Sequence, residues 1–171
     1  MARLVAALCA LAALACARGA PAPADARAAP AAAEAASAAD SLRGTVRVVG
    51  SEPLTQVVLE PAGGGAAVAL EGERAVLQRL AAIEVMVAGD AETPGRFRVA
   101  RVAVRSANGV PAVDGVLARE GDRWVLATAD GRRLPVPHLP EALRDHAGAR
   151  VWLAGPLDRA PDSFGVIVEI P

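Results

Sequence analysis

From Leu42 to the end of the chain, apolar and polar residues alternate in ten short runs, broken by glycine, proline and acidic turns. Period-two alternation is the mark of a half-buried strand. The first half offers "GTVRVV" at 44–49, "LTQVVLE" at 54–60, "AVAL" at 67–70, "IEVMVAG" at 83–89 and "RFRVARVAVR" at 96–105. The second offers "VDGVLARE" at 113–120, "RWVLATA" at 123–129, "RRLPV" at 132–136, "ARVWLAG" at 149–155 and "FGVIVEI" at 164–170. Two stretches carry helical spacing instead. They are "GERAVLQRLAA" at 72–82, and "PEALRDHAG" at 140–148 with Pro near its first turn and Gly at its end. Asp130-Gly131 is a hairpin signal, and Pro135 confines its strand to an edge.

Both halves read strand-strand-strand-helix-strand-strand, and "VMVAG" at 85–89 returns as "VWLAG" at 151–155. Val85 corresponds to Val151, Val87 to Leu153, Leu77 to Leu143 and Phe97 to Phe164, while Gly44 corresponds to Gly115 at a wider spacing. The pattern is that of an internal duplication. The predicted fold class is all-β with short helices. The order of elements resembles that of the OB-fold, a five-stranded Greek-key barrel, here twice in tandem at 43–109 and 113–171. The resemblance implies ligand binding on the face of strands two and three and on the loops joining strands 1–2 and 4–5. The alternative is a pair of SH3-like barrels, whose helical turn comes one strand later. A barrel of this size is marginal alone, so a shared interface between the two is expected.

Residues 1–42 contribute no strand pattern. "MARLVAALCALAALAC" has one early charge, Arg3, then an apolar stretch to Cys16 that is too short to span a bilayer and fits a signal peptide. Two exits remain open. "ACA" at 15–17 suits ordinary signal peptidase. "ALAC" at 13–16 resembles the lipobox of bacterial lipoproteins, which implies lipidation of Cys16 as a membrane anchor. Residues 17–42 are rich in Ala and Pro, and 17–40 hold no Val, Leu, Ile or aromatic residue, so the segment reads as a disordered tether. The expected localisation is the periplasm, or the outer membrane as an anchored lipoprotein.

Composition narrows the chemistry. Net charge is −1, so no global field draws in nucleic acid. Both cysteines, Cys9 and Cys16, lie in the leader, leaving the folded part without a disulfide or a thiolate nucleophile. No nucleophile motif or phosphate-cradling loop is present. The two histidines, His138 and His146, are not spaced to chelate, and Asp158 and Asp162 alone do not make a calcium site. No catalytic residue, metal or cofactor is expected.

Two constellations remain. Trp124 and Trp152 are the tryptophans. Trp152 interrupts the inward set of Val151 and Leu153, so it points outward, to fill an interface or to serve a ligand. In "RFRVARVAVR" the inward parity flips near Ala100, which predicts a β-bulge and puts Arg96, Arg98, Arg101 and Arg105 on the outer face. They are either an anion site or a solvated face neutralised by Glu60, Glu71 and Glu84. The expected function is a non-enzymatic, exported binding or assembly module of the bacterial cell envelope, its partner a protein or glycan. The alternative is a structural scaffold subunit without a small ligand.

Overall fold

In the computed structural model of the chain, which describes residues 40–51 and 53–169, the alternating runs form ten strands and one short helix. The signal peptide at 1–16, Cys16 and the tether up to residue 39 lie outside the described residues. The strands are β1 Asp40–Val49, β2 Gln56–Pro61, β3 Val68–Glu71, β4 Ile83–Thr93, β5 Arg96–Ala107, β6 Val110–Glu120, β7 Arg123–Ala127, β8 Arg133–Pro135, β9 Arg150–Ala154 and β10 Ser163–Val168. Helix α1 spans Arg74–Arg79. The protein is all-β, and its ten strands are hydrogen-bonded into one sheet that is antiparallel except where β3 meets β5.

In the first half β1 pairs β2, β2 pairs β3, β3 pairs β5, β5 pairs β4 and β4 pairs β1, so the pairings form a circuit. In the second half the same order runs β8–β7–β6–β9–β10, and among the described residues no β8–β10 pairing closes it. Strand length accounts for the difference. β5 has 12 residues and reaches β3 through its first three, whereas β10 has six.

The first strand of each half serves two neighbours and bends between them. β1 pairs β4 through Asp40–Thr45 and β2 through Gly44–Val49. β6 pairs β9 through Ala112–Val116 and β7 through Val116–Glu120. At the bend the backbones nearly touch. A Cβ on Gly44 would lie 2.1 Å from the Glu60 carbonyl oxygen, and one on Gly115 would lie 2.5 Å from that of Ala127. Asp40, Ser41 and Leu42, expected in the tether, are strand, because ladder pairing with β4 needs no apolar side chain. Nor is there a connector at 110–112. β5 and β6 form a hairpin closed by Asn108 and Gly109 at φ 51 and 78, the geometry of a type I′ turn.

Both predicted helices are shorter than expected. The first shrinks to α1, and the second to a single 3-10 turn at Glu141–Leu143. In the latter region Arg144 donates to the Glu141 carbonyl, His146 to Leu143 and Ala149 to His146, all three residues back. That ladder is tighter than an α-helix, and Pro140, in extended conformation, blocks growth backwards. Each segment leaves by the same device. Ala82, at φ 65, donates its N–H to the Val46 carbonyl at 2.8 Å, and Gly148, at φ 89, donates to Leu117 at 2.7 Å. The first copy holds an alanine where the left-handed conformation favours glycine. Ala82→Gly should therefore raise stability by about 0.5–1 kcal/mol, the relieved strain exceeding the added chain entropy. Gly148→Ala should lower it by a similar amount. Urea unfolding midpoints of the two variants check the pair; a destabilised Ala82→Gly would contradict it.

Two apolar clusters form the core. The first gathers Val46, Leu59, Leu77, Leu80, Val85, Val87 and Phe97, and the second Leu117, Leu126, Val136, Leu143, Val151 and Leu153. β9 is buried on both faces: Val151 and Leu153 belong to the second cluster, Trp152 and Ala154 to the first. Ile167 of β10 also joins the first, and α1 packs against β10. The halves thus share a core as well as a hairpin.

Candidate functional site

The predicted bulge in β5 is present. Val99 pairs with Gly89 and Arg101 with Ala88, leaving Ala100 unpaired between them. The arginines around it are exposed as expected, but they do not form one site. Arg96 bridges to Glu71 at 2.6 Å, and Arg98 bridges to Glu92. Arg105 donates to the Met86 sulfur at 3.2 Å. Only Arg101 of the four has no hydrogen-bond or ion-pair partner among the described residues. Of the acidic neighbours named from sequence, Glu71 neutralises this strand, whereas Glu60 and Glu84 serve Arg47 and Arg43 on β1. The hydrogen bond from Arg96 holds the Glu71 carboxyl below its ordinary value.

The tryptophans separate. Trp152 is 8% exposed and lies in the first cluster, so it is part of the junction and offers no open platform. Room for its indole comes from Gly165, its cross-strand partner, where an added Cβ would fall 2.6 Å from Nε1. Trp124 is half-buried against the second cluster, and the Arg119 guanidinium lies over its ring, 5.8 Å from the centroid. Arg119 and Trp124 are cross-strand partners, so they share one face of the sheet.

Around Trp124 is a cleft of about 440 Å³. Its walls are the β6–β7 turn with Asp122, the segment after β8 with Pro137 and Leu139, and the 3-10 region with Arg144 and Asp145. The first half has a cleft in the corresponding place, about 320 Å³, between the start of β2, the end of β3 and Arg74 of α1. Val57 stands there in the register position that Trp124 occupies in the second half, since Val48 pairs with Val57 as Arg119 pairs with Trp124. Arg74 closes one side of that first cleft by donating to the Thr55 hydroxyl at 2.6 Å. The two clefts share the register position of Val57 and Trp124 and differ in chemistry. One carries an Arg96–Glu71 bridge, the other an indole flanked by guanidinium and carboxylate groups.

From the sequence, a ligand is expected near Trp124 and the loops 120–123 and 156–162; Trp124 and Asp122 line the cleft, and no residue of 156–162 does. That expectation missed Arg144, Asp145 and Pro137, which reach the cleft through the path of the chain after β8. The pattern of the sequence held no signal for Arg144 and Asp145, whose counterparts in the first half, Gln78 and Arg79, do not line its cleft. Among the described residues His138 is exposed and His146 half-buried, and no group of three metal-ligating side chains converges. No described helix is long and apolar enough to cross a membrane. No protein-family model, curated protein or solved structure matches the chain.

Proposed function

We propose that this chain is a non-enzymatic binding or assembly module of a bacterial cell envelope, built as two OB-like barrels and held by a lipid on Cys16. The circuit β1–β2–β3–β5–β4–β1, with a helix between the third and fourth strands, supports the barrel reading for the first half. The same order of neighbours supports it for the second. The anchor and the envelope location rest on the apolar leader and "ALAC" at 13–16. The duplicated cleft carries the functional reading. Its second copy places Trp124 against the β6–β7 turn and the strand-two face, where a ligand such as a glycan or an extended protein segment gains both apolar contact and charged hydrogen bonds.

One observation favours the scaffold reading. Trp152, the other large aromatic of that half, is spent on packing. The two readings part in titration. With peptidoglycan fragments and envelope extracts as probes, the binding reading expects a saturable change in Trp emission. Trp124→Phe should remove that change, and Trp124→Ala should weaken binding tenfold or more, about 1.4 kcal/mol. Emission indifferent to every probe would hand the assignment to the scaffold. In the same preparations Cys16→Ser should move the protein from the detergent phase to the aqueous one, and an unmodified wild-type N-terminus would remove the anchor from the proposal.

A further inference from the structure

A further cavity, of about 260 Å³, lies where the two halves meet, away from Trp124. Val76 of α1, Val99 and Val102 of β5 and Val168 of β10 give it apolar walls. Two charged side chains stand at it without ion-pair partners among the described residues: Arg101, and Glu73 just before α1. Arg150 also borders it, but Asp114 already holds its guanidinium.

The bulge is what brings Arg101 here. In a regular strand, with Ala100 paired like its neighbours, Arg101 would keep the parity of Phe97 and Val99 and point into the first cluster. The bulge is also enforced from the opposite strand. A Cβ on Gly89 would lie 1.9 Å from the Arg98 carbonyl oxygen, so only glycine fits there. The protein has thus re-aimed one arginine towards an apolar cavity and left it without a counter-ion, while its neighbours Arg96 and Arg98 are both paired.

We propose that this junction cavity binds a small aliphatic α-amino acid. Arg101 takes the carboxylate, for which its planar fork is suited. Glu73 takes the ammonium, and the valines take the side chain. A simple carboxylic acid would meet Glu73 with like charge, and a simple amine would meet Arg101 in the same way. A molecule with both charges satisfies both groups. The volume fits: at ~30 Å³ for each water displaced, the cavity holds about nine non-hydrogen atoms, the size of leucine. The site is independent of the Trp124 cleft.

Isothermal titration of the full chain with L-leucine tests the proposal. Saturable binding with Kd below about 1 mM is expected. Glycine should bind at least tenfold more weakly for want of a side chain. So should 4-methylpentanoate, which lacks the ammonium, and 3-methylbutylamine, which lacks the carboxylate. Arg101→Gln and Glu73→Gln each sit on the exposed rim and should keep the wild-type melting temperature while losing tenfold or more in affinity. Trp124→Ala should bind leucine as the wild type does, which separates this site from the cleft. Absence of leucine binding up to 10 mM, a threshold of about 2.7 kcal/mol in affinity, overturns the proposal. So does unchanged affinity in Arg101→Gln.

Discussion

Replacing Trp152 with alanine is expected to lower the unfolding free energy by about 3–5 kcal/mol, the cost of emptying a buried aromatic site. Few domains of this size have more than two or three times that to lose. The indole belongs to β9 of the second half but packs in the cluster built mainly by the first, across Gly165 of β10. The hole would therefore open at the seam between the halves. A single cooperative urea transition, shifted as a whole, is the expected form of the loss, followed by circular dichroism. Two separated transitions in the variant or the wild type would show instead that the halves fold independently. Gly165→Val attacks the same contact from the other side, because a Cβ there meets the indole ring.

Asp114→Ala is the second large effect, expected at about 2–4 kcal/mol. Just beyond their hairpin, β5 and β6 splay apart, and their direct pairing stops at Ser106 and Pro111. Asp114 takes over: its Oδ1 accepts the Val104 N–H at 2.8 Å and its Oδ2 accepts Arg150 Nε at 2.8 Å. Arg150 in turn donates to the Val102 carbonyl. The Asp114 side chain is 8% exposed and that of Arg150 28%, so the pair is screened less than a surface bridge. Alanine would strand a backbone donor and a guanidinium at once. Asp114→Asn, which keeps an acceptor for Val104, should cost roughly half as much. Denaturant unfolding of the two variants decides it; equal losses would mean that the Val104 hydrogen bond contributes nothing, and an Asn variant as stable as the wild type would mean that the charge does not.

The all-β class was legible because alternation survives in nearly every run, and the bulge at Ala100 was legible because parity flips within "RFRVARVAVR". The matching bends of the two halves were legible in their glycines: Gly44 and Gly115 sit where the backbone admits no side chain. The match of Phe97 to Phe164 was not sound. Val87 pairs with Val102 and Leu153 with Phe164, so Phe164 takes the place of Val102. β4 and β5 continue past the bulge to a turn at Pro94, whereas β9 and β10 are joined by a loop, and spacing alone does not reveal where a hairpin has lengthened. Phe97 is accordingly 2% exposed and Phe164 38%. The outward direction of Trp152 could be read from its neighbours, but not what it would meet, since that depends on how one half lies on the other. For the arginines the side of the strand was readable, and the pairing was not, because Glu92 comes from the turn region of the adjacent strand.

The Asn108-Gly109 turn bears on whether copies of this protein can exchange strands. Repeated halves invite strand exchange between molecules, since each half can recognise its counterpart in another chain. Exchange needs a connector that can straighten into a hinge. Here the connector is two residues long, both in left-handed conformation, and it is followed at once by the Ser106–Pro111 ladder and the Asp114 contacts. Opening it would sacrifice all of these before any intermolecular contact formed. A tight turn resists exchange only while its residues tolerate that conformation, so the chain should stay monomeric as it stands, and straining the turn with Gly109→Val, a residue that resists a positive φ, is the direct way to make it dimerise.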